Sequence, residues 1–211
     1  MHQALRWAFM LMVAVLCTAG GPVEAPMIYD SEDVVSMSPE TLEAINFRRR
    51  PIMSAWWAET PAVRVCASSG VTPARMERAL DYWRRLGYEL DRVWYDDGSE
   101  LCRGPGARGE ITIAIVNTDV PIGNNLAVTQ NFHNRHTGEM IRSRIWVFPH
   151  TAEKQWLLEH ELGHALGWAH YNRYLHIMNA DYPDVGHDST GLTYREWQAE
   201  KARLIERLSE E

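Results

Sequence analysis

Three histidines and a glutamate lie close together between His160 and His170, in the sequence HELGHALGWAH. The spacing of His160 and His164 places both imidazoles on one face of a helix, one turn apart, where both can bind a single ion. Glu161 directly follows the first histidine, so its carboxylate would lie beside the metal rather than bind it. The pattern therefore predicts a metal site in which Glu161 is the general base.

His170 could not share this ion if the helix continued, because it would lie about 15 Å from His160 along the axis. Gly167 can adopt the left-handed conformation that ends a helix and turns the chain back, which makes His170 the third ligand. Three neutral nitrogens and one open position are typical of catalytic zinc, which lowers the pKa of bound water to about 7 and polarises a substrate carbonyl. The alternative, an amphipathic helix with two histidines one turn apart by chance, requires all five motif residues to coincide by accident.

The pattern HExxHxxGxxH, followed by a methionine turn at residues 176–179 (HIMN), resembles the metzincin clan of zinc endopeptidases. The short interval between His170 and Met178 resembles the matrixin branch of that clan. The resemblance implies that the three histidines bind one catalytic Zn²⁺ and that Glu161 is the base. It also implies that Met178 forms an apolar floor beneath the imidazoles.

The resemblance further implies an α+β fold, a zincin-like domain with a mixed, mostly parallel sheet, an antiparallel edge strand, an active-site helix and a C-terminal helix. In that family the edge strand aligns the peptide substrate, and the candidates here are Leu126, Ala127 and Val128. The thiol-switch sequence PRCG of matrixins is missing from this chain. No ligand pattern for structural calcium or a second zinc is recognisable either, so those additional metals are unsupported.

Hydrophobic patterning predicts strands at residues 62–67, 90–95 and 111–116, followed by an edge hairpin formed by residues 126–130 and 141–148. Strand, helix, strand and strand in this order predict a mixed sheet. The polar turn of the hairpin carries two further histidines. We expect these to be surface residues rather than metal ligands; they are His133 and His136.

Three helices are predicted within residues 61–211. Thr72 and Pro73 begin the first, and a helix-favouring run beginning near Thr151 contains the histidine motif. The capping box from Thr193 to Glu196 begins the last. Apolar stripes predict which faces are buried: Met76, Leu80, Trp83 and Leu86 in the first helix, and Trp197, Leu204, Ile205 and Leu208 in the last.

Residues 1–19 combine a basic start with an apolar run of about ten residues, which is typical of a signal peptide, whereas a membrane span needs about twenty. We therefore expect a secreted or periplasmic protein without a stable membrane span, with lipoprotein anchoring through Cys17 as the alternative. Residues 20–60 are acidic and proline-punctuated, with a helix predicted at 39–49. We interpret them as an N-terminal extension or short prosegment that precedes a catalytic domain at residues 61–211.

Charge and cysteine content restrict the partners. The chain carries 21 basic and 28 acidic residues, and removing residues 1–19 takes away only Arg6, so the net charge moves from −7 to −8. This charge argues against nucleic acid and leaves a protein or peptide substrate, and we expect a monomer.

In an oxidising compartment Cys66 and Cys102 predict a disulfide, with two separate buried thiols as the alternative.

Two functions of different classes fit the motif. The first is an exported zinc endopeptidase in which Glu161 takes a proton from the zinc-activated water that attacks the peptide carbonyl. The second is a zinc-stabilised but catalytically silent binding or adhesion module. The intact Glu161 favours the enzyme, because a silent module has no chemical need for that carboxylate.

Overall fold

The computed structural model describes the backbone of residues 27–30 and, in full, residues 50–116 and 125–210 of the 211-residue chain. The predicted signal peptide and the helix predicted at residues 39–49 lie outside these ranges. Among the described residues, no helix combines the length and apolar character that crossing a membrane requires.

The described residues contribute six strands to one sheet. They are β1 (Met27–Asp30), β2 (Ala62–Cys66), β3 (Val93–Asp96), β4 (Glu110–Ile115), β5 (Ala127–His133) and β6 (Met140–Val147). Their order is β1-β5-β6-β4-β2-β3, in which β6, β4, β2 and β3 run parallel while β5 runs antiparallel to β6. The predicted mixed, mostly parallel sheet with an antiparallel strand at one side is confirmed. Strand β1 pairs antiparallel with the C-terminal half of β5, an addition that the sequence pattern did not indicate.

Within the described ranges, four α-helices accompany the sheet: α1 (Pro73–Arg84), α2 (Glu100–Arg103), α3 (Leu157–Ala165) and α4 (Tyr194–Ser209). The hydroxyl of Thr72 accepts a hydrogen bond from the Arg75 amide at the start of α1, and both halves of the capping box are present at α4. Helix α3 begins later than the predicted start near Thr151. The run before it forms turns, and Trp156 has a φ of 65°, which interrupts a right-handed helix.

Helices α1 and α3 lie on the same face of the sheet. Alternate strand residues such as Ile113 and Ile145 point toward them, while their neighbours Ala114 and Trp146 point to the opposite face. On that opposite face the predicted Cys66–Cys102 disulfide is confirmed, with its Cα atoms 5.7 Å apart.

The predicted apolar stripes are confirmed except at Ile205. That side chain is 40% exposed, whereas Leu204 is only 6% exposed. Residues 197, 200 and 204 follow the helical period and share the buried face, so Ile205 is rotated about 100° away from Leu204 toward solvent. Glu200 lies on that buried face at 3% exposure.

Residues 51–57, which we call the N-terminal strap, pack into the domain. Met53, Ala55 and Trp57 are each almost fully buried in the main core. Met53 forms an antiparallel bridge with Trp168. The packed unit therefore begins before residue 61, where the sequence pattern had placed the domain boundary.

Candidate metal centre

Helix α3 brings His160 and His164 together as the motif predicts. Their Nε2 atoms are 3.0 Å apart, and the Nε2 atoms of His164 and His170 are 3.1 Å apart. Potential ligand atoms of all three histidines lie within 4.8 Å of one another. Within the described ranges, this is the only group of three or more His, Cys, Asp or Glu residues close enough to hold one ion.

Gly167 produces the turn that brings His170 to the other two histidines. Its φ is 104°, a conformation that side chains rarely adopt, and its amide donates to the main-chain oxygen of His164. A Cβ atom at this position would lie 2.1 Å from the main-chain oxygen of Ala55. The predicted exit from the helix is therefore confirmed, and glycine is required for both the backbone conformation and the close approach of the strap.

Main-chain carbonyls determine which imidazole nitrogens are free. Nδ1 of His160 lies 2.7 Å from the oxygen of Ile177, and Nδ1 of His164 lies 2.8 Å from that of Trp168. A carbonyl oxygen can only accept, so each Nδ1 carries the proton and each Nε2 presents a lone pair. Two lone pairs facing each other across 3.0 Å repel unless a cation lies between them.

The nitrogen arrangement fits zinc. Zn–N distances of about 2.0–2.1 Å with tetrahedral angles place ligand nitrogens about 3.3 Å apart, close to the separations here. Burial lowers the pKa of His160 to about 4 and that of His170 to about 3, and it lowers the pKa of His164 well below its usual value. All three imidazoles are therefore neutral at neutral pH, which is the form that binds metal.

Glu161 lies beside the three histidines and is 5% exposed. Its Oε2 atom lies 2.5 Å from the hydroxyl of Thr129 on β5. Burial raises the pKa of Glu161 to about 7, and the hydrogen bond from Thr129 partly opposes this rise. A carboxyl with a pKa near neutrality is suited to accept and return a proton.

Met178 is fully buried and packs against Gly163, which lies on the turn of α3 between the two helical ligands. A Cβ at Gly163 would lie 2.3 Å from the Met178 sulfur and 2.9 Å from Cζ2 of Trp83. The preceding carbonyl, that of Ile177, orients His160. The methionine turn thus contacts the site through both a side chain and a main-chain oxygen. The packing requirement at Gly163 was not evident from the motif.

Four donors from other elements bind the main-chain oxygens of residues 164–167, at and just beyond the C-terminal end of α3, where a helix offers its carbonyls few internal partners. Donors and acceptors pair as follows: Asn131 Nδ2 with His164, Trp57 Nε1 with Ala165, Trp197 Nε1 with Leu166 and the Ser54 amide with Gly167, at 2.7 to 2.9 Å. The donors belong to β5, the strap and α4. Sequence patterning did not reveal this arrangement, because each donor lies far along the chain from its acceptor.

The predicted substrate-aligning residues have two different environments. Leu126 and Ala127 line a cleft together with the three histidines and Glu161, and Leu157, Tyr182 and Val185 add apolar surface to it. Val128 points to the opposite face of the sheet, into the cluster around the disulfide. Within the described residues, β1 pairs with residues 130–133 of β5, and no strand pairs with the outer edge of residues 127–129.

The hairpin histidines do not form a second metal site within the described ranges. His136 is exposed as expected, but His133 is only 6% exposed. Burial lowers the pKa of His133, so this side chain is a neutral core residue. The expectation that His133 is a surface residue was therefore wrong, because β5 extends farther than predicted and carries it into the interior.

No protein-family model and no curated protein sequence matches the chain. Among solved structures, metalloproteinase-II from Bacteroides fragilis is similar, with a TM-score of 0.42 and 14% sequence identity. The match covers 77% of this chain and 60% of that chain. The present chain thus spans less than two thirds of the length of that structure.

Proposed function

We propose that the chain is a zinc-dependent endopeptidase that resembles the matrixin branch of the metzincins. The observation that carries the proposal is the convergence of three imidazoles, two with defined free Nε2 lone pairs, next to a buried carboxyl at the base of a cleft. His160, His164 and His170 would hold one Zn²⁺. A zinc ion at this position supplies Lewis acidity toward water and toward a substrate carbonyl.

Glu161 performs the proton transfers in this proposal. Its Oε2 accepts the Thr129 hydrogen bond, which leaves Oε1 to take a proton from water in the cleft. The same carboxyl then gives the proton to the leaving amine of the cleaved peptide bond. In the metal-free protein, burial raises the pKa of this carboxyl, so it is a stronger base than an exposed glutamate.

The outer edge of β5 beside the cleft is where we propose that substrate binds. An extended peptide can form main-chain hydrogen bonds to residues 127–129, in the way that β1 pairs with residues 130–133. Leu126, Ala127 and Val128 keep their proposed role as the aligning segment, with Val128 contributing through its backbone because its side chain points away.

We propose that the protein is exported and that residues 20–49 are the removable N-terminal segment. The strap limits the removable part, because its apolar side chains belong to the core. Strand β1 already occupies the C-terminal half of the β5 edge, so it lies next to the proposed substrate position. Removal of this segment would free that half of the edge.

The test measures zinc content and cleavage of an unbiased peptide library by the exported protein. We expect about one zinc per chain, lost on His164→Ala and retained on His150→Ala, a substitution of an exposed histidine. Glu161→Gln should retain zinc but lose on the order of 10²-fold or more in rate, while the exposed control Glu153→Gln should not change the rate.

Three outcomes would overturn the proposal. They are a protein without zinc, a Glu161→Gln variant as active as wild type, and a wild type that cleaves nothing after residues 20–49 are removed. The last outcome, with zinc bound and chelator-sensitive stability, would identify the chain as a zinc-stabilised binding module.

A further inference from the structure

We infer that Thr129 is a positioning residue that holds the Glu161 carboxylate in its reactive orientation. This inference rests on the proposed function, because it assigns a role to a neighbour of the general base. Thr129 is 2% exposed and lies on β5. Its hydroxyl oxygen is 2.5 Å from Oε2 and 3.1 Å from the main-chain oxygen of Glu161.

A threonine hydroxyl has one proton, so it can donate to only one of these two acceptors at a time. A carboxylate is the stronger acceptor of the two, and charge-assisted hydrogen bonds of this kind are short. The 2.5 Å contact therefore identifies Oε2 as the acceptor when Glu161 is ionised. Fixing one oxygen sets the plane of the carboxylate and directs Oε1 to a constant position.

The position of Thr129 in the sheet supports a role beyond packing. The strand residues that face α1 and α3 are otherwise mostly apolar: Val63, Val65, Ile111, Ile113, Ile145 and Val147. Polar residues that β5 and β6 place on this face include Thr129, Asn131 and Ser143. Their side chains form hydrogen bonds to α3 or to one another. Asn131 donates to the main-chain oxygen of His164, and Ser143 donates to the Asn131 side chain. This polar layer therefore lies opposite the residues to which we assign the chemistry.

Thr112 on β4 provides a matched comparison. Its hydroxyl is fully buried and makes no hydrogen bond to any described residue. The fold thus accommodates a buried threonine without a partner, so the close contact of Thr129 with Glu161 is not a general requirement for buried hydroxyls. Valine has nearly the same shape as threonine, which makes Thr112→Val and Thr129→Val equivalent in volume change.

Steady-state cleavage by the zinc-loaded protein separates a positioning role from a purely structural one. Thr129→Val should lower kcat by about 10- to 100-fold with little change in KM, because a misplaced base impairs the chemical step rather than substrate binding. Thr129→Ala should show the same loss if the valine variant does not fold. Thr129→Ser keeps the donor and should remain within about 3-fold of wild type, and Thr112→Val should match wild type.

A second measurement does not depend on activity. The infrared carboxylate band of Glu161, identified by its loss in Glu161→Gln, should shift in Thr129→Val and keep its position in Thr129→Ser. Zinc content should be equal in all of these proteins.

Several results would overturn the inference while leaving the proposed function intact. One is an active wild type together with a Thr129→Val variant whose kcat is unchanged. Another is a Glu161 carboxylate band that does not shift in Thr129→Val. A third is a Thr129→Val activity that falls only in proportion to the zinc that the variant has lost. Equal impairment of Thr129→Ser would also overturn it. A wild type that cleaves no peptide would instead overturn the proposed function and, with it, the role of Thr129.

Discussion

The guanidinium of Arg75 on α1 forms two hydrogen bonds with the carboxylate of Glu159 on α3, at 2.8 and 2.5 Å. Both side chains are buried, at 2% and 7% exposure, and Glu159 directly precedes His160. This ion pair joins the two helices that cover the sheet at the residue before the first proposed ligand.

Removal of one partner from this pair should be costly. Glu159→Gln leaves the Arg75 charge buried without its counter-ion, and we expect the free energy of unfolding to fall by about 3–5 kcal/mol. Glu153→Gln breaks the ion pair with Arg78, whose side chains are 57% and 60% exposed, and should cost about 1 kcal/mol or less. Urea unfolding in chelator measures the free energy of unfolding of both variants. Equal decreases would show that the buried pair contributes no more to stability than the exposed one.

Substitution of Gly163 should affect the methionine turn. The added methyl group in Gly163→Ala would overlap with the Met178 sulfur and with Trp83, and overpacking of this kind costs about 1–3 kcal/mol. Met178→Ala in the same chain should relieve part of the overlap, so the double variant should lose less than the sum of the single variants. Thermal unfolding of all four proteins measures the coupling. Simple additivity would mean that the two residues do not press on each other.

Loss of a single donor from the strap should weaken zinc binding at the proposed site. Trp57→Phe removes the hydrogen bond to the Ala165 oxygen and should cost about 1–3 kcal/mol, because a buried carbonyl is left without its partner. The matched control is Trp56→Phe, since Trp56 donates to Thr137 at an exposed position. Chelator competition should show weaker zinc binding only for Trp57→Phe.

Truncation of the chain tests the role of the N-terminal strap without a point substitution. A chain that begins at residue 50 should fold and bind zinc as the longer protein does, whereas one that begins at residue 61 should bind zinc more weakly or fail to fold. Equal zinc affinity of the two truncated chains would contradict the role of the strap.

The metal-free protein should lose stability as the pH falls below the ordinary histidine pKa of about 6.5. Burial depresses the pKa of all three proposed ligands in the folded state, so below that pH the unfolded chain binds more protons than the folded protein. Each such proton contributes a slope of about 1.4 kcal/mol per pH unit, and the loss continues until the folded-state pKa values near 4 and 3 are reached.

The titration of Glu161 changes the stability of the metal-free protein with pH in the opposite direction. Its folded-state pKa of about 7 exceeds its ordinary value, so it stabilises the protein most at low pH, and this contribution is lost as the pH rises through 7. Because three histidines oppose one glutamate, the net slope between pH 5 and 6.5 should be positive. Urea unfolding across this range in chelator checks the sign. His164→Gln should reduce the slope, and an unchanged slope would contradict the assignment.

Local spacing explains why the convergence of the three histidines was predictable. Helical periodicity relates His160 to His164, and the backbone freedom of Gly167 explains the return of His170, so the relevant physics acts within eleven residues. Alternation and buried apolar runs likewise indicated the strands. The start of α3 was misplaced because its preceding turns contain helix-compatible residues, and the interruption at Trp156 is a backbone feature without a local sequence signal.

The supporting contacts could not be predicted in the same way. The partner of Glu161 is 32 residues away, and Trp57 lies 108 residues from Ala165. These contacts depend on which face of a strand packs against which turn of a helix. The periodicity of a single segment does not specify that pairing, because it is set by the packed sheet. Residues 51–57 (PIMSAWW) were assigned to an extension because this short apolar run follows an acidic, proline-punctuated segment and has no period that identifies a core element.

The donors at the C-terminal end of α3 have a consequence for the order of events during biosynthesis. Trp57 is synthesised early, whereas Trp197 lies 31 residues beyond the carbonyl of Leu166 that it binds. A nascent chain that has passed His170 therefore still lacks one of the contacts that hold the end of this helix. We expect the three imidazoles to reach their final separation only after α4 has been synthesised and has packed against the end of α3. The proposed hydrolytic activity would then require α4 to have formed, although this helix lies outside the histidine motif.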